Sequence, residues 1–424
     1  MNILFVAHFY PPEMGGASAR LHGLARLLVQ RGHHVTVITG FPNYPSGEIR
    51  EEYQGRWYCE EELDGVQVIR TWIYATPRKG SIRRLANYFS FVLSSVISGG
   101  RQQASFDVIF ASSPPLFIGL SGLALSWWWK RPWVFDIRDI WPELAVEAGE
   151  FDPDALIVRW GNRLERFLYR RADHITVVTE RKRQKLRQKE VPEEKLSIVA
   201  NGVDLDRIGS STSEYKDWRS ALDLDGKFVA LYAGLMGIFQ RVEVIVEAAI
   251  HLRERSDIHF VLAGDGVRRD VVEKTIADEH LQNVTLLPSQ PGEQIPAMLK
   301  AFDLALVPLI NENLVDAVPS KLLEAWGCRR PVLLIAGGEA RQLVETSNGG
   351  FVVSPGCTEA LVQTIVDVVS MDGEARQRYA NNGYEYVLAH YDRAKLAEQL
   401  EAVLQRQISC EFSKEKVSVG ISRS

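Results

Sequence analysis

The segment MNILFVAHFYPPEMGGASARLHGLARLL, residues 1–28, contains a strand pattern followed by a helix pattern. Residues 3–7 form a continuous apolar run of buried-strand length, and Leu21, Leu24 and Leu28 form one apolar face at helical spacing. A turn rich in proline and glycine joins the two patterns. This order of strand, loop and helix predicts the first unit of a parallel α/β sheet.

The same alternation continues along the chain and predicts twelve more strands. These are HVTVIT, VQVIRT, DVIFAS, WVFDIR, HITVVT and KLSIVA in the first half, and KFVALYAG, IHFVLAG, VTLLP, LALVPL, PVLLIA and GFVVSP in the second. Apolar runs separated by helices indicate parallel strands that are covered on both faces. Thirteen strands are too many for one ordinary sheet. A turn-rich and Ser-rich stretch near residues 200–218 divides them, so we predict two doubly wound domains.

The composition of the chain indicates the cellular compartment of the protein. The chain has 424 residues, a hydrophobic fraction of 46% and a formal net charge of −5. No apolar run reaches the roughly 18 residues of a membrane span, and no basic region precedes the first strand, so we expect a cytoplasmic protein. The cysteines are far apart, which predicts free thiols rather than a zinc site or a disulfide framework.

Charge is distributed unevenly between the two halves. Residues 1–203 contain 26 Lys and Arg against 22 Asp and Glu, whereas the remainder contains 23 against 32. The two halves are therefore expected to meet different partners. The basic residues lie among acidic ones and no nucleic-acid motif is present, so nucleic acid is not an expected partner.

Two aromatic and basic segments leave two alternatives open. RRLANYFSFVLSSVIS, residues 83–98, has two arginines before an apolar stretch, and LSWWWKR, residues 125–131, places three tryptophans beside two cations. Such segments suit peripheral contact with an anionic membrane surface. They equally suit core helices with packed tryptophans. The basic balance of the first half favours the membrane alternative.

Gly15 and Gly16 stand between the first strand and the first helix. Small residues there let a ligand approach backbone N–H groups at a helix N-terminus, where negative charge is favoured. The loop either touches a phosphate or a sugar or is a plain tight turn. SSPP, residues 112–115, follows another predicted strand and has the same two alternatives.

The segment DAVPSKLLEAWGCRRPV, residues 316–332, holds the candidate residues of the second half. Pro319 suits the first turn of a helix, which places Asp316 in the loop before it and Glu324 about two turns in. Carboxylate oxygens can accept from the vicinal hydroxyls of ribose or a hexose. Ser320 and Lys321, at the helix N-terminus, suit a diphosphate. The alternatives are a turn residue for Asp316 and a solvated face for Glu324.

These residues carry a resemblance to a known family. FYPPEMGGASARLHGLARLLVQRGHHVTVIT, NGVD, AGDG and PSKLLEA…RRPV occur in the same order in family-4 glycosyltransferases. That resemblance implies retaining enzymes of the GT-B fold, with two Rossmann-like domains facing across a cleft and a nucleotide-sugar donor. TGFPNYPSG and FDIRDIWPE resemble the bacterial N-acetylfucosaminyltransferases of O-antigen and capsule assembly.

The resemblance also implies a division of the chain. Residues 1–203 would form the acceptor-side domain and residues 204–385 the nucleotide-sugar domain. Residues 386–408 would form a helix that crosses back to the first domain, and residues 409–424 a polar tail.

The family's site residues map onto this chain with departures. The family has two glutamates with seven residues between them, and this chain has Asp316 and Glu324 at that spacing. Glu324 would hold the ribose hydroxyls and Asp316 the donor sugar. Where the family has an arginine and a lysine for the diphosphate, this chain has Leu235 and Gln240. Arg241 and Lys321, with Arg268 as a weaker candidate, are the cations that could replace them.

In the first half, the family's histidine that commonly reaches the donor 6-hydroxyl is replaced by Arg138, followed by Asp139. An arginine donates five N–H groups and accepts none, so it suits an anion or a carbonyl oxygen. The alternative is that Arg138 pairs with Asp136 or Asp139 and never meets the sugar. If no residue is kept for a 6-hydroxyl, a 6-deoxy-N-acetylhexosamine donor such as UDP-N-acetylfucosamine is expected.

The expected function is therefore sugar transfer, with retention, from a UDP-sugar to a lipid-linked glycan acceptor, with peripheral contact at the inner face of the cell membrane. No cofactor or metal is expected, because the Asp-Leu-Asp triplets at 204–206 and 223–225 lie in turn-like contexts. A non-catalytic binding partner of the same fold and a nucleotide-sugar 2-epimerase are the alternatives.

Overall fold

The structure is a computed structural model that describes residues 1–13, 15–43, 46–78, 80–103, 105–147, 149, 151–210, 217–311 and 315–421, the side chains of 81, 210 and 412–421 excepted. It divides into two compact units, Met1–Ala200 with Ala394–Ser424, and Asn201–Arg393. The expected boundary at residue 203 lies three residues beyond this division.

The first unit contains one eight-stranded sheet among the described residues, in the order β3-β4-β2-β1-β5-β6-β7-β8. Its strands are β1 (Asn2–Ala7), β2 (His34–Gly40), β3 (Tyr58–Leu63), β4 (Val66–Thr71), β5 (Val108–Ser113), β6 (Trp133–Ile137), β7 (His174–Val177) and β8 (Leu196–Ile198). All neighbouring pairs are parallel except β3 with β4. The predicted strands of this half are therefore confirmed, and β3 is an additional edge strand.

Helices cover both faces of this sheet. They are α1 (Gly16–Gln30), α2 (Ser81–Gly100), α3 (Ile118–Trp129), α4 (Glu143–Glu147), α5 (Leu156–Arg171) and α6 (Glu180–Gln188). Parallel strands joined in sequence take right-handed crossovers. The chain moves one way along the sheet through α1 and the other way through α2, α3 and α5, so α1 lies on one face and the other three lie on the opposite face.

The second unit contains a six-stranded parallel sheet in the order β11-β10-β9-β12-β13-β14. Its strands are β9 (Phe228–Ala233), β10 (Ile258–Ala263), β11 (Val284–Leu287), β12 (Leu304–Pro308), β13 (Val332–Ile335) and β14 (Gly350–Val353). Its helices are α7 (Leu205–Ser210), α8 (Trp218–Ala221), α9 (Glu243–His251), α10 (Arg269–Asp278), α11 (Ile295–Ala301), α12 (Ser320–Gly327), α13 (Gly338–Ser347), α14 (Thr358–Ser370) and α15 (Gly373–His390). All six strands predicted for this half are confirmed.

The final helix, α16 (Arg393–Ile421), groups with the first unit. Its apolar stripe is buried at Leu396 and Leu400, and Arg31 beside α1 pairs with Glu398 at 3.0 Å. The helix begins later than the predicted residue 386, because 386–390 belong to α15. It also continues through 409–421, which the sequence analysis treats as a polar tail. The Lys and Glu residues of that stretch are good helix formers.

Candidate functional site

The second sheet reverses its strand order between β9 and β12. From β9 the chain builds outward to β10 and β11 on one side, and then crosses to β12, β13 and β14 on the other. Open parallel sheets bind ligands at this point, outside the carboxyl ends of the strands, because the loops on the two sides lead in opposite directions. The candidate residues of the second half follow these two strands, at 235–241 after β9 and 316–324 after β12.

The loops after β9 and β10 pack backbone against backbone. A Cβ atom on Gly264 would lie 1.9 Å from the carbonyl oxygen of Gly234, and one on Gly266 would lie 2.6 Å from that of Met236. The Met236 N–H donates to the carbonyl of Asp265 at 2.8 Å. The AGDG motif therefore holds the loop after β9 in place through contacts that a side chain would block.

Lys321 reaches from the first turn of α12 to the loop after β9. A Cβ atom on Gly234 would lie 2.3 Å from Lys321 Cε and 2.9 Å from its Nζ, so the lysine stem crosses directly over this glycine. The ammonium lies 5.4 Å from the centroid of the Tyr232 ring. Burial lowers the pKa of Lys321, and the charge of Glu324 opposes this shift. A half-buried cation at the switch point is stabilised by an anion that binds there.

Asp316 is held in the turn that precedes α12, and it is 4% exposed. The neighbouring Val315 carbonyl accepts the N–H of Glu339 at 2.7 Å. A Cβ atom on Gly338, whose φ is +66°, would lie 2.3 Å from Val315 Cα. The loops after β12 and β13 are thus packed together, and this contact sets the position of Asp316.

Helix α12 begins at Ser320. Pro319 is its N-cap and so lies one residue before the first turn, in which it was predicted. The proline has φ −65° and ψ 135°, which is extended backbone, and no side chain caps the helix. Ser320 and Glu324 are four residues apart and lie on one face of α12. Glu324 is half-buried, so it is not the fully solvated residue of the alternative prediction.

The two positions that depart from the family pattern lie in the loop after β9. Gln240 Oε1 accepts the N–H of Gly237 at 3.1 Å, so this side chain closes its own loop. Arg241 has φ +38°, and its guanidinium has no hydrogen-bonding partner within the part of the chain that the structure describes. Arg268 is paired with Glu243. Arg241 and Lys321 are therefore better placed than Arg268 to meet an anion.

The first sheet has its own switch point, between β1 and β5. The loop with Gly15 and Gly16 follows β1, and the SSPP segment contains the last two residues of β5 and the two prolines after it. Both segments lie at the sheet edge where ligands bind in open parallel sheets. The two loops singled out in the first half are thus brought to one place.

The loop after β1 is fixed by polar contacts. Glu13 is buried and accepts the N–H of Asn43 at 2.9 Å, and Arg70 donates to the carbonyl of Pro11. Gly15 is the N-cap of α1 with φ +142°, a conformation that favours glycine. Gly16 is the first helical residue, and no side chain caps α1. The turn geometry accounts for Gly15, and the open helix start leaves N–H groups that a ligand can approach.

Arg138 is a half-buried cation linked to Asp136 through one hydroxyl. Its Nε donates to Ser112 Oγ at 3.1 Å, and this hydroxyl donates to Asp136 Oδ2 at 2.7 Å. Burial lowers the pKa of Arg138, and the charges of Asp136 and Asp139 oppose this shift. Its terminal nitrogens, like the half-buried Asp139 carboxylate, have no hydrogen-bonding partner among the described residues. The direct pairing of Arg138 with Asp136 or Asp139 that the alternative prediction requires is absent there.

The ion pair behind Arg138 was not predicted from the sequence. Arg20 and Asp136 are both buried, and two nitrogens of Arg20 reach the two carboxylate oxygens at 2.8 and 3.1 Å. Thr176 donates to the same carboxylate at 2.8 Å, and Arg20 also donates to the carbonyl of Val199 at 2.7 Å. The available signal was Asp136 itself, a carboxylate inside an apolar strand that needs a partner.

Among the residues that the structure describes, no cluster of three or more His, Cys, Asp or Glu has the arrangement of a metal site. No helix there is long and apolar enough to span a membrane.

Two sequence families match the chain. The family described as "Glycosyl transferase 4-like domain" matches residues 15–202, and the one described as "Glycosyl transferases group 1" matches residues 214–386. The first match begins at Gly15, after β1, and includes the other seven strands of the first sheet. The second includes all six strands of the second sheet.

Two relatives and a solved structure agree with these matches. The putative colanic acid biosynthesis glycosyl transferase WcaI of Escherichia coli (strain K12) is 29% identical over 86% of this chain and 91% of its own length. The probable glycosyltransferase WbjE of Pseudomonas aeruginosa is 25% identical over 72% and 78%. The crystal structure of Anabaena Alr3699/HepE in complex with UDP and glucose has a TM-score of 0.73 at 20% identity, and the match covers 96% of this chain and 100% of that chain. The chain is a glycosyltransferase of the GT-B fold, and its two domains are similar to those of family-4 enzymes.

Proposed function

We propose that this glycosyltransferase moves a sugar, with retention of anomeric configuration, from a UDP-sugar to a lipid-linked glycan acceptor in cell-surface polysaccharide synthesis. The observation that supports a nucleotide-sugar donor most directly is Lys321. Its half-buried side chain stands at the switch point of the second sheet, over Gly234. A diphosphate is the anion of a nucleotide sugar, and it would supply the charge that this site lacks.

The neighbouring carboxylates suit the rest of the donor. Glu324 follows Lys321 by three residues on α12, and neighbours at this spacing share a helix face. It would accept from the ribose hydroxyls, while Asp316 would accept from hydroxyls of the sugar. Arg241 is a second cation for the diphosphate. Lys321 and Arg241 would then take the place of the arginine and lysine that Leu235 and Gln240 replace.

Retention needs no protein base under this proposal. The bond between the anomeric carbon and the diphosphate oxygen breaks while the acceptor oxygen bonds to the same face of that carbon. The acceptor proton passes to the departing phosphate oxygen. The protein contributes by holding both substrates and by stabilising the leaving charge. The site proposed here uses no metal, and the charge on UDP is met by side-chain cations.

A 6-deoxy-N-acetylhexosamine is the proposed donor sugar. Arg138 replaces the histidine that the family commonly uses for a 6-hydroxyl, and its terminal nitrogens are the available donors. Such donors suit an acetamido carbonyl and cannot accept from a hydroxyl. UDP-N-acetyl-L-fucosamine has the acetamido group and a methyl group at C6, so it fits both properties.

A lipid-linked acceptor places the reaction at a membrane surface, and we propose peripheral contact of the first unit with the inner face of the cell membrane. The relatives named above include a protein of colanic acid biosynthesis, which is consistent with a role in polysaccharide assembly.

The experiment has two stages. Thermal shift with UDP and with a panel of nucleotide sugars identifies the donor, and release of UDP with and without membrane extract then measures turnover. We expect UDP sugars to stabilise the protein and 6-deoxy-N-acetyl sugars to exceed UDP-N-acetylglucosamine in turnover. A clear preference for UDP-N-acetylglucosamine would refute the proposed 6-deoxy donor but not the assignment as a glycosyltransferase.

The same assay separates the second candidate, a non-catalytic binding partner. The departures at Leu235 and Gln240 favour it, because they remove two cations from the loop after β9. Stabilisation by UDP sugars without UDP release from any donor would support that candidate. Interconversion of a UDP sugar with its 2-epimer would support the epimerase.

A further inference from the structure

The outward face of helix α5 takes no part in packing the helix against the first unit. Its inward face buries Val158 and Leu168, and Gly161 contacts Trp141, whose ring would lie 2.7 Å from a Cβ atom at that glycine. These contacts anchor α5 to the first unit. The opposite face of the helix is exposed along its length.

Large apolar side chains lie on this outward face. Leu156 is 71% exposed, Trp160 is 65% exposed and Phe167 is 40% exposed. Their spacings of four and seven residues place them in one stripe along the helix. Exposed aromatic residues in a stripe are typical of surfaces that meet an apolar phase or a partner.

Arginines surround the stripe. The exposed arginines of α5 are Arg159, Arg163, Arg166, Arg170 and Arg171. The guanidinium of Arg163 lies 5.3 Å from the centroid of the Trp160 ring, and that of Arg171 lies 5.5 Å from that of Phe167. Four of these arginines and Phe167 line a surface groove of about 400 Å³.

No carboxylate on α5 balances these charges. The acidic residue of the helix, Glu165, is 1% exposed and points inward, where it bonds Lys189 at 2.9 Å and Tyr169 at 2.9 Å. Among the described residues, none forms a salt bridge with the five arginines. The outward face is therefore purely cationic around an apolar stripe, which is the pattern of a helix that lies in a membrane interface.

We propose that the outward face of α5 docks on an anionic lipid bilayer, with Trp160 and Phe167 in the interface and the arginines at the headgroup phosphates. Charge complementarity selects this occupant, because a zwitterionic surface or a neutral apolar partner would leave five cations unmatched. The inference deepens the membrane contact proposed above and names its surface and lipid charge. It differs from the segments at 83–98 and 125–131, which belong to α2 and α3.

The test is binding of the full-length protein to vesicles of phosphatidylglycerol and phosphatidylcholine in equal parts. A basic residue near an anionic surface contributes about 1 kcal/mol, or about fivefold in affinity. Arg163→Ala/Arg170→Ala is therefore expected to weaken binding by about 25-fold. Arg207→Ala/Arg378→Ala, which removes two exposed arginines of the second unit, changes net charge equally and should bind as the unmodified protein does.

Trp160→Ala tests the apolar stripe, and Trp127→Ala tests α3 as an alternative surface. We expect weaker vesicle binding for Trp160→Ala and no change for Trp127→Ala, with unchanged circular dichroism and melting temperature for both. If the unmodified protein binds but only Trp127→Ala weakens binding, the α5 surface is wrong and membrane contact stands. If the unmodified protein binds no anionic vesicle, the proposed membrane contact and the proposed α5 surface are both wrong.

Two further outcomes would overturn the assigned lipid. Equal binding to pure phosphatidylcholine vesicles would show that the arginines do not select anionic lipid. Binding to single-stranded nucleic acid that depends on the same arginines, in the absence of vesicle binding, would assign the face to a different polyanion. Neither outcome bears on sugar transfer, which is measured separately by UDP release.

Discussion

Replacement of Lys321 by methionine should weaken UDP binding without weakening the fold. Methionine keeps a flexible apolar stem that can cross Gly234 as the lysine stem does, where a Cβ atom would lie 2.3 Å from Lys321 Cε. The substitution therefore removes the ammonium and little else. The backbone of α12 and the glycine contact are retained.

The magnitude follows from the charge of this half-buried side chain. A hydrogen bond to a charged group contributes about 1.5–3 kcal/mol, which corresponds to about a 10- to 150-fold rise in the dissociation constant of UDP. In the free protein the ammonium is desolvated and its pKa is lowered. Replacing a buried charge by an apolar side chain is often neutral or stabilising, so the free energy of unfolding without ligand should stay equal or increase.

Calorimetry with UDP at several pH values provides the assay. A bound diphosphate favours the charged lysine and so raises its pKa above the lowered value of the free protein. UDP affinity is therefore highest below the pKa that Lys321 has in the free protein. It falls as the pH rises from that pKa to the higher pKa of the UDP complex. The methionine variant should lack this fall.

Arg268→Ala is the matched control, because Arg268 is exposed and already paired with Glu243. It removes one positive charge from the same edge of the sheet, and UDP affinity should not change measurably. Unchanged UDP affinity in Lys321→Met would refute the assignment. Weaker affinity together with a lower free energy of unfolding would show that the lysine acts on the fold instead.

Three further predictions concern the carboxylates and the metal. Asp136→Asn leaves Arg20 buried without its counter-charge, so the free energy of unfolding in urea should fall by about 3–5 kcal/mol. As the control, Asp139→Asn should change this free energy by no more than about 0.5 kcal/mol. Equal effects of the two substitutions would contradict the assignment of a buried ion pair. Glu324→Ala should weaken UDP binding by about 1.5–3 kcal/mol, whereas Asp316→Ala should mainly lower turnover. Equal losses of UDP affinity in the two variants would contradict the assignment of Glu324 to the ribose and Asp316 to the sugar. Activity in EDTA should stay near its untreated value, and a collapse that manganese restores would count against a metal-free site.

Most strands were predictable because they are buried on both faces. A parallel strand between helices needs apolar residues on both sides, so the run itself is visible in the sequence. The strand β3, YCEEEL, lies at the sheet edge with alternating exposed side chains and pairs antiparallel with β4. Its charged residues interrupt any apolar run, and only its partner strand identifies it.

Some candidate residues could likewise be placed from the sequence, and others could not. Local spacing was enough to place Asp316 before a helix and Glu324 within it, because a helix has a fixed period and Pro319 marks its start. The alternatives for Arg138 could not be decided from sequence. They depended on Ser112, a residue of another strand, which stands between Arg138 and Asp136.

By itself, the sequence determined the order of strands and helices, the doubly wound class and the identity of the candidate side chains. Only the tertiary structure brought Lys321 over Gly234 and Arg20 against Asp136. Each of these contacts joins residues that lie on different elements. Whether they meet depends on strand order and on how closely glycine-containing backbones approach each other, and neither property leaves a periodic pattern in the chain.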